Sequence, residues 1–187
     1  MNKYAVTDKI ERAKAFALNA HKDQMHGSVP ITVHLAAVAG KAEEMANKYY
    51  GGSWDRDLWE NVVAAAWLHD TVEDTDTTVQ NILKEFGEGV AEIVSDVTDG
   101  PGKNRLQRHL NTYYRTRCND MSILVKMCDR WHNQQRSTER AERFMEMYHR
   151  EYLYFKFALY QPNFYEDFWA ELDEQYAKMD AIIKARQ

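Results

Sequence analysis

Apolar and polar positions in this chain alternate with a helical period almost from end to end. Ile10, Ala13, Ala17 and Ala20 recur at three- and four-residue steps, and Leu35, Val38 and Ala42 repeat the pattern within VHLAAVAGKAEEMANKYY. Each set lines one side of a helix. Asp8 and Glu11 offer a capping box to the first helix, which is expected to end near Met25 to Gly27. A loop from His26 to Pro30 leads into the second helix, and Gly51-Gly52-Ser53 separates it from a third, expected from about Asp55 to Asp70. Thr75 to Thr78 supplies caps for a short helix ending at Gly87, and another follows over Gly89 to Val97. Asp99 to Lys103 is a turn, after which NRLQRHLNTYYRTRC is a basic amphipathic segment, its Tyr113 and Tyr114 read as packing. Met121 to Arg136, Glu139 to Tyr160 and Phe164 to Arg186 complete the series, with Pro162 stopping the penultimate helix. The pattern predicts an all-α fold, a single bundle of about eight to ten helices over residues 1–187.

One stretch departs from simple amphipathicity. The apolar run from Val62 to Leu68 feeds straight into His69 and Asp70, and Glu73 and Asp74 follow within a turn. Charge at the end of a buried helix is costly unless it is paired or holds a metal. The helix's C-terminal end carries partial negative charge, so a His-Asp pair there suits a divalent cation. The dipeptide alone is more often a helix running out into solvent. Glu73 and Asp74 each lie four residues beyond His69 or Asp70, on the same side if the winding continues, and that favours a site. SILVKMCDRWHNQQR is a second such stretch: Ile123, Leu124 and Met127 look like core, while Lys126, Asp129 and Asn133 share a face. Taken singly, Asp129 fits an ion pair with Arg130 or Lys126 as well as a ligand, and a lone His34 over an apolar face is more often structural. Cys128 reads as a small buried hydrophobe. Tyr148, Tyr152 and Tyr154 are candidates to wall a pocket.

Composition narrows the function classes. The 187 residues carry a formal net charge of −5, which argues against a nucleic-acid partner. Positive charge gathers locally at Lys103, Arg105 and Arg108, and again at Arg130, Arg136, Arg140 and Arg143. No apolar segment has the length of a membrane span, and the N-terminus lacks a signal-peptide pattern, so no membrane partner is expected and the compartment expected is the cytoplasm. The two cysteines form neither a CxxC nor a disulfide framework.

His34, His69, Asp70 and Asp129 together make a mixed nitrogen and oxygen donor set. Such a set suits Mn²⁺, Fe²⁺ or Zn²⁺ better than Mg²⁺ or Ca²⁺, which favour oxygen. Four protein ligands on an octahedral ion leave positions for water and a phosphate oxygen. The ion can then acidify the water and polarise phosphorus, the two requirements of phosphoester hydrolysis. Glu73 and Asp74 are free to position the water and move protons.

Four segments carry a family resemblance: Ala20–His34 (AHKDQMHGSVPITVH), Ala65–Thr78 (AAWLHDTVEDTDTT), Phe86–Gly100 (FGEGVAEIVSDVTDG) and Ile123–Asn133 (ILVKMCDRWHN). In their order and content the chain resembles the hydrolase domain of the RelA/SpoT alarmone enzymes. In size it is most similar to the stand-alone small alarmone hydrolases of the HD superfamily. The resemblance implies one Mn²⁺ held by His34, His69, Asp70 and Asp129, with Glu73 and Asp74 activating water. It implies further that Asn133 holds the substrate near its ribose or phosphate and that Ser28 lies in the nucleoside pocket. The family removes the 3′-pyrophosphate of guanosine tetra- or pentaphosphate, leaving GDP or GTP. The chain departs from the family pattern at His26, where arginine is usual, in a loop to His34 one residue shorter, at Leu35 in place of proline, and at Gln134-Gln135-Arg136 in place of Met-Arg-Thr.

A pyrophosphate substrate brings negative charge into an acidic chain, so local cations are needed. Lys126 is the first candidate, ahead of Lys103, Arg105 and Arg108. Arginine can present two parallel donors to guanine O6 and N7, whereas an imidazole offers at best one, so His26 predicts weaker discrimination between guanine and adenine. If His26 turns away, Arg136 or Gln135 is the candidate to read the base. Two other readings stand beside the first: the same chemistry on an adenosine alarmone or on the 2′-phosphate of NADPH, and a non-catalytic nucleotide-binding module. The intact Glu73-Asp74 pair argues against the last, because a binder needs no water activator.

Overall fold

The computed structural model describes residues 7–50, 56–138 and 142–186. Among them ten helices and one short ribbon follow in the order α1 (Asp8–Ala20), β1 (Met25–His26), β2 (Val29–Pro30), α2 (Ile31–Tyr50), α3 (Arg56–Leu68), α4 (Thr71–Asp74), α5 (Val79–Phe86), α6 (Glu88–Val97), α7 (Arg105–Thr116), α8 (Asp120–Ser137), α9 (Glu142–Leu159) and α10 (Glu166–Lys184). The all-α expectation holds. The loop expected at Gly51–Ser53, the expected start of the third helix at Asp55, and Glu139 with Arg140 lie outside the described residues. No described helix is long and apolar enough to cross a membrane.

The chain divides into two compact units, Met1–Cys128 and Asp129–Gln187. At the centre of the first is α3, packed against α1, α2 and α6. Its Trp59, Val62, Val63, Ala64, Ala65, Ala66 and Leu68 are all buried. A helix enclosed on several sides is apolar around most of its circumference, and its alanines let neighbouring backbones approach. Ile10, Ala13 and Ala17 of α1 and Leu35, Val38, Ala42 and Ala46 of α2 close over it. In the second unit α9 packs on α10, with Tyr152, Phe155 and Leu159 buried on one and Phe168, Trp169 and Leu172 on the other. The Phe155 and Trp169 rings lie 5.6 Å apart.

Three local departures from the expected pattern shape the site. The first helix stops at Ala20, capped by Thr7 rather than Asp8; the Thr7 side chain accepts from the Ile10 N–H. His21 follows as its C-cap, and Asp23 takes a positive φ of 66°, turning the chain back on itself. The segment expected as a loop holds a two-residue hairpin, with Met25 opposite Pro30 and His26 opposite Val29. Gly27 takes the first loop position at φ 71°, where a tight hairpin requires the left-handed region. Finally, α3 ends at Leu68, two residues before the expected boundary, and α4 is a separate single turn. The α4 turn starts from Asp70 itself, because the N–H groups of Glu73 and Asp74 both donate to the Asp70 carbonyl, at 3.1 and 2.9 Å.

Candidate metal centre

His34 stands in the first turn of α2, and His69 and Asp70 form the junction between α3 and α4. Because α2 packs on α3, the two imidazoles meet. His34 Nε2 lies 3.1 Å from His69 Nε2 and 3.4 Å from Asp70 Oδ2, and His69 Nε2 lies 3.1 Å from Asp70 Oδ1. Both imidazoles are almost completely buried, while the Asp70 side chain keeps 24% of its exposure. Among the described residues these three form the group whose ligand atoms converge within 4.8 Å of one another.

The donor set fits a divalent ion. With metal–ligand bonds of about 2.1 Å, donors at right angles around one ion sit about 3.0 Å apart, which the three separations approach. His69 Nδ1 is 2.9 Å from the Ala66 carbonyl, an acceptor only, so Nδ1 carries the proton and Nε2 presents a bare lone pair. That lone pair faces His34 Nε2, whose own role as donor or acceptor follows its tautomer. At Asp70 burial raises the carboxyl pKa, yet His69 and His34 beside it outweigh burial and hold it well below the ordinary value. Asp70 therefore stays ionised, the form that binds metal.

One turn beyond, Glu73 and Asp74 keep contact with solvent. Glu73 Oε2 accepts from the Asp99 N–H at 3.1 Å. Partial burial pushes its pKa up, opposed by the Lys126 ammonium nearby. Lys126 Nζ is itself anchored on the Val97 carbonyl at 2.9 Å. Asp74 is also pushed up, by burial and then by the charge of Asp70. Two carboxylates with raised pKa values beside a candidate metal cluster have the chemistry that a general base requires.

The remaining expected residues fall as follows. The His26 ring stands edge-on to His34, centroids 4.8 Å apart, so the ribbon carries it to the rim of the metal ligands. Ser28 is exposed at the hairpin tip. Arg108 Nε lies 3.7 Å from the Asp99 carboxylate, which His109 Nε2 also approaches at 3.6 Å. Asp129, Asn133 and Arg136 are carried on α8 in the second unit, where Asn133 Nδ2 donates to the Asp129 carboxylate. Two residues beside Asp74 were not singled out from sequence: His21, buried at 1% exposure, and Gln24, whose amide reaches the Asp74 carbonyl. A polar residue continuing the buried face Ala13–Ala17 four residues on was the available signal for His21.

An all-α bundle that brings a histidine from one helix onto a His-Asp pair at the end of another defines a class, and the chain belongs to it: it is a member of the HD-domain family, whose pattern matches residues 13–153. Among its relatives is the guanosine-3′,5′-bis(diphosphate) 3′-pyrophosphohydrolase MESH1 of Xenopus tropicalis, 34% identical over 125 residues, which is 66% of each chain. The guanosine-3′,5′-bis(diphosphate) 3′-pyrophosphohydrolase of Aquifex aeolicus is 34% identical over 132 residues, 67% of this chain but 17% of that longer protein. A solved structure, that of a metazoan ortholog of SpoT described as hydrolyzing ppGpp, superposes with a TM-score of 0.75 over 94% of this chain and 97% of its own. At 21% identity, that likeness shows a shared fold.

Proposed function

We propose that this protein hydrolyses the 3′-pyrophosphate of guanosine tetra- or pentaphosphate, releasing GDP or GTP and pyrophosphate. The observation that carries the reading is the convergence of His34, His69 and Asp70 with Glu73 and Asp74 one turn away, in a chain similar to MESH1 over 66% of each. Asp129 is the fourth ligand in this reading, supported by the family resemblance of its segment. A divalent ion, Mn²⁺ with Fe²⁺ or Zn²⁺ as substitutes, supplies a Lewis acid and acidifies a water. The chain does the rest. Glu73, steadied by the Asp99 N–H, orients the attacking water and takes its proton. Asp74 passes a proton toward the leaving oxygen. Lys126 offsets the charge of the pyrophosphate, with Lys103, Arg105 and Arg108 as secondary cations. Ser28, His26, Asn133 and Arg136 hold the nucleoside and its phosphates. The family match runs through the division inside α8, which supports treating residues 1–187 as one working domain. The reading places the protein in the cytoplasm, with a small nucleotide as its partner.

A second reading keeps the chemistry and changes the base. The family resemblance puts arginine at the position of His26, whose ring stands edge-on to His34 and offers one donor at most to a base. Adenosine 3′-pyrophosphate nucleotides are then substrates too. One experiment tests both readings: Mn²⁺-loaded protein is given guanosine and adenosine 3′-pyrophosphates and NADPH, and products are identified. Pyrophosphate release from the guanosine nucleotide is expected, with an adenosine rate within ~10²-fold, since one lost bidentate contact is worth no more than that. Release of phosphate from NADPH alone, or no turnover at all, overturns the proposal.

A further inference from the structure

We infer that His21 and Gln24 form a strut that positions Asp74 for the reaction, His21 acting through the Gln24 amide. The inference rests on the reading of Asp74 as a proton-moving group. Gln24 Nε2 donates to the Asp74 carbonyl at 2.9 Å, joining residues 50 apart in sequence. Its amide oxygen meets His21 Nδ1 at 2.8 Å. The amide hydrogens are committed to a carbonyl, so the oxygen faces the imidazole, and Nδ1 must be the donor. The His21 tautomer is thereby fixed, with Nε2 left as a bare acceptor.

Both ends of the strut are built to hold still. The Gln24 N–H donates to the His21 carbonyl at 3.0 Å, and the Gln24 carbonyl accepts from Ile31 at 3.1 Å, so the turn after α1 is tied fore and aft. Its target is soft by comparison. The last carbonyls of a helix have no intrahelical partner, and α4 has only the single turn Thr71–Asp74 before Thr75 becomes extended. Gln24 caps the carbonyl of the very residue whose carboxylate is needed. Where that carbonyl is fixed, the direction of the side chain leaving the same Cα is fixed with it.

His21 also carries a feature that packing alone does not explain. Its Nε2 is buried and has no hydrogen-bond partner, a state costly for any polar atom. An apolar residue at this point would fill the core without that cost. What an apolar residue lacks is the Nδ1 donor that orients Gln24.

The test compares Gln24→Glu, which keeps an acceptor for His21 but loses the donor to Asp74, with His21→Ala and the conservative His21→Asn, which keeps an N–H near the Nδ1 position. Turnover of guanosine 3′,5′-bis(diphosphate) by the Mn²⁺-loaded protein is measured beside Mn²⁺ content and, in metal-free protein, amide exchange over residues 71–75. Gln24→Glu and His21→Ala are expected to lower kcat by about 10- to 100-fold at unchanged KM and Mn²⁺ content, the scale of a small misplacement of a catalytic group. Exchange over residues 71–75 should quicken, His21→Asn should recover most of the rate, and Gln24→Glu should cost nothing further in an Asp74→Asn background. If Asp74→Asn itself keeps the wild-type kcat, the role of Asp74 falls. If Asp74→Asn loses rate while Gln24→Glu and His21→Ala do not, or if exchange over residues 71–75 is unchanged, or if rate falls only with metal content, the strut is overturned and Asp74's role stands.

Discussion

In the second unit, the Arg130 guanidinium lies 5.3 Å from the ring centroid of Tyr148 and 4.8 Å from that of Phe155, with Glu151 at 3.6 Å. Nearby on the same helix, Lys156 and the Tyr152 hydroxyl share the Asp173 carboxylate at 2.7–2.9 Å. In the first unit, His34 and His69 instead point ring nitrogens at each other and at Asp70. Both regions bury polar groups, and they resolve the cost differently. The second matches Arg130 and Lys156 to an anion or an aromatic face, so these two cations are balanced without a ligand. The first gathers three groups that can each offer a lone pair to one cation. Burial of charge therefore does not by itself mark a site. The mark is a surplus of one kind of donor atom.

The sharpest test removes one proposed metal ligand from each unit. Asp70→Ala and Asp129→Ala should leave protein without bound metal and with activity at background, read by metal analysis and pyrophosphate release. A variant of either kind that keeps full metal and turnover removes that residue from the ligand set. Separating ligand from chemistry is the next step. Glu73→Gln should retain the metal while kcat falls by roughly 10²–10⁴, the range for loss of a general base. Loss of metal in Glu73→Gln would instead make Glu73 a ligand.

Those residues were unequally legible in the sequence. The buried α3 and the charged cluster at its end could be read directly, because an apolar run ending in His-Asp has few inexpensive outcomes. His34 could not be told from a structural histidine by its own helix face; only its pairing with a segment 35 residues away makes it a candidate ligand. That pairing depends on α2 packing against α3, a tertiary fact which periodicity does not encode. The hairpin at Met25–Pro30 was hidden for a related reason, since two-residue strands are too short to show alternation. The early stop of α1 at Ala20 was missed because helical spacing continues through His21, whose side chain bonds Gln24.

The counterpart experiment in the second unit should touch stability and spare chemistry. Arg130→Met keeps the volume and the aromatic contacts but leaves Glu151 without its cation. Breaking a buried pair from one side costs about 3 kcal/mol. Denaturant unfolding should show that loss, while kcat per folded molecule stays at the wild-type level. A fall in kcat without a fall in stability would mean that Arg130 serves the reaction as well.

The smallest expected effect is a pH dependence, and its sign separates the regions further. Glu73 titrates above its ordinary value in the folded protein, through burial. Between the unfolded and folded values the native state binds more protons, so this group's contribution to stability falls as pH rises through that window. At neutral pH the ionised Glu73 is a net cost to the metal-free fold; below about pH 4 it is protonated in both states and costs nothing. Glu73→Gln mimics the protonated acid at every pH. In metal-free protein its Tm should therefore exceed that of the wild type at pH 7 and match it near pH 4. A metal ion nearby favours the ionised carboxylate, so saturating Mn²⁺ should shrink the gain at pH 7. Asp180 of the second unit behaves oppositely: Lys184 holds its carboxyl below the ordinary value, so Asp180→Asn should bring no gain at neutral pH. A Glu73→Gln gain of equal size at pH 4 and pH 7 would show that the carboxylate's charge is not its origin.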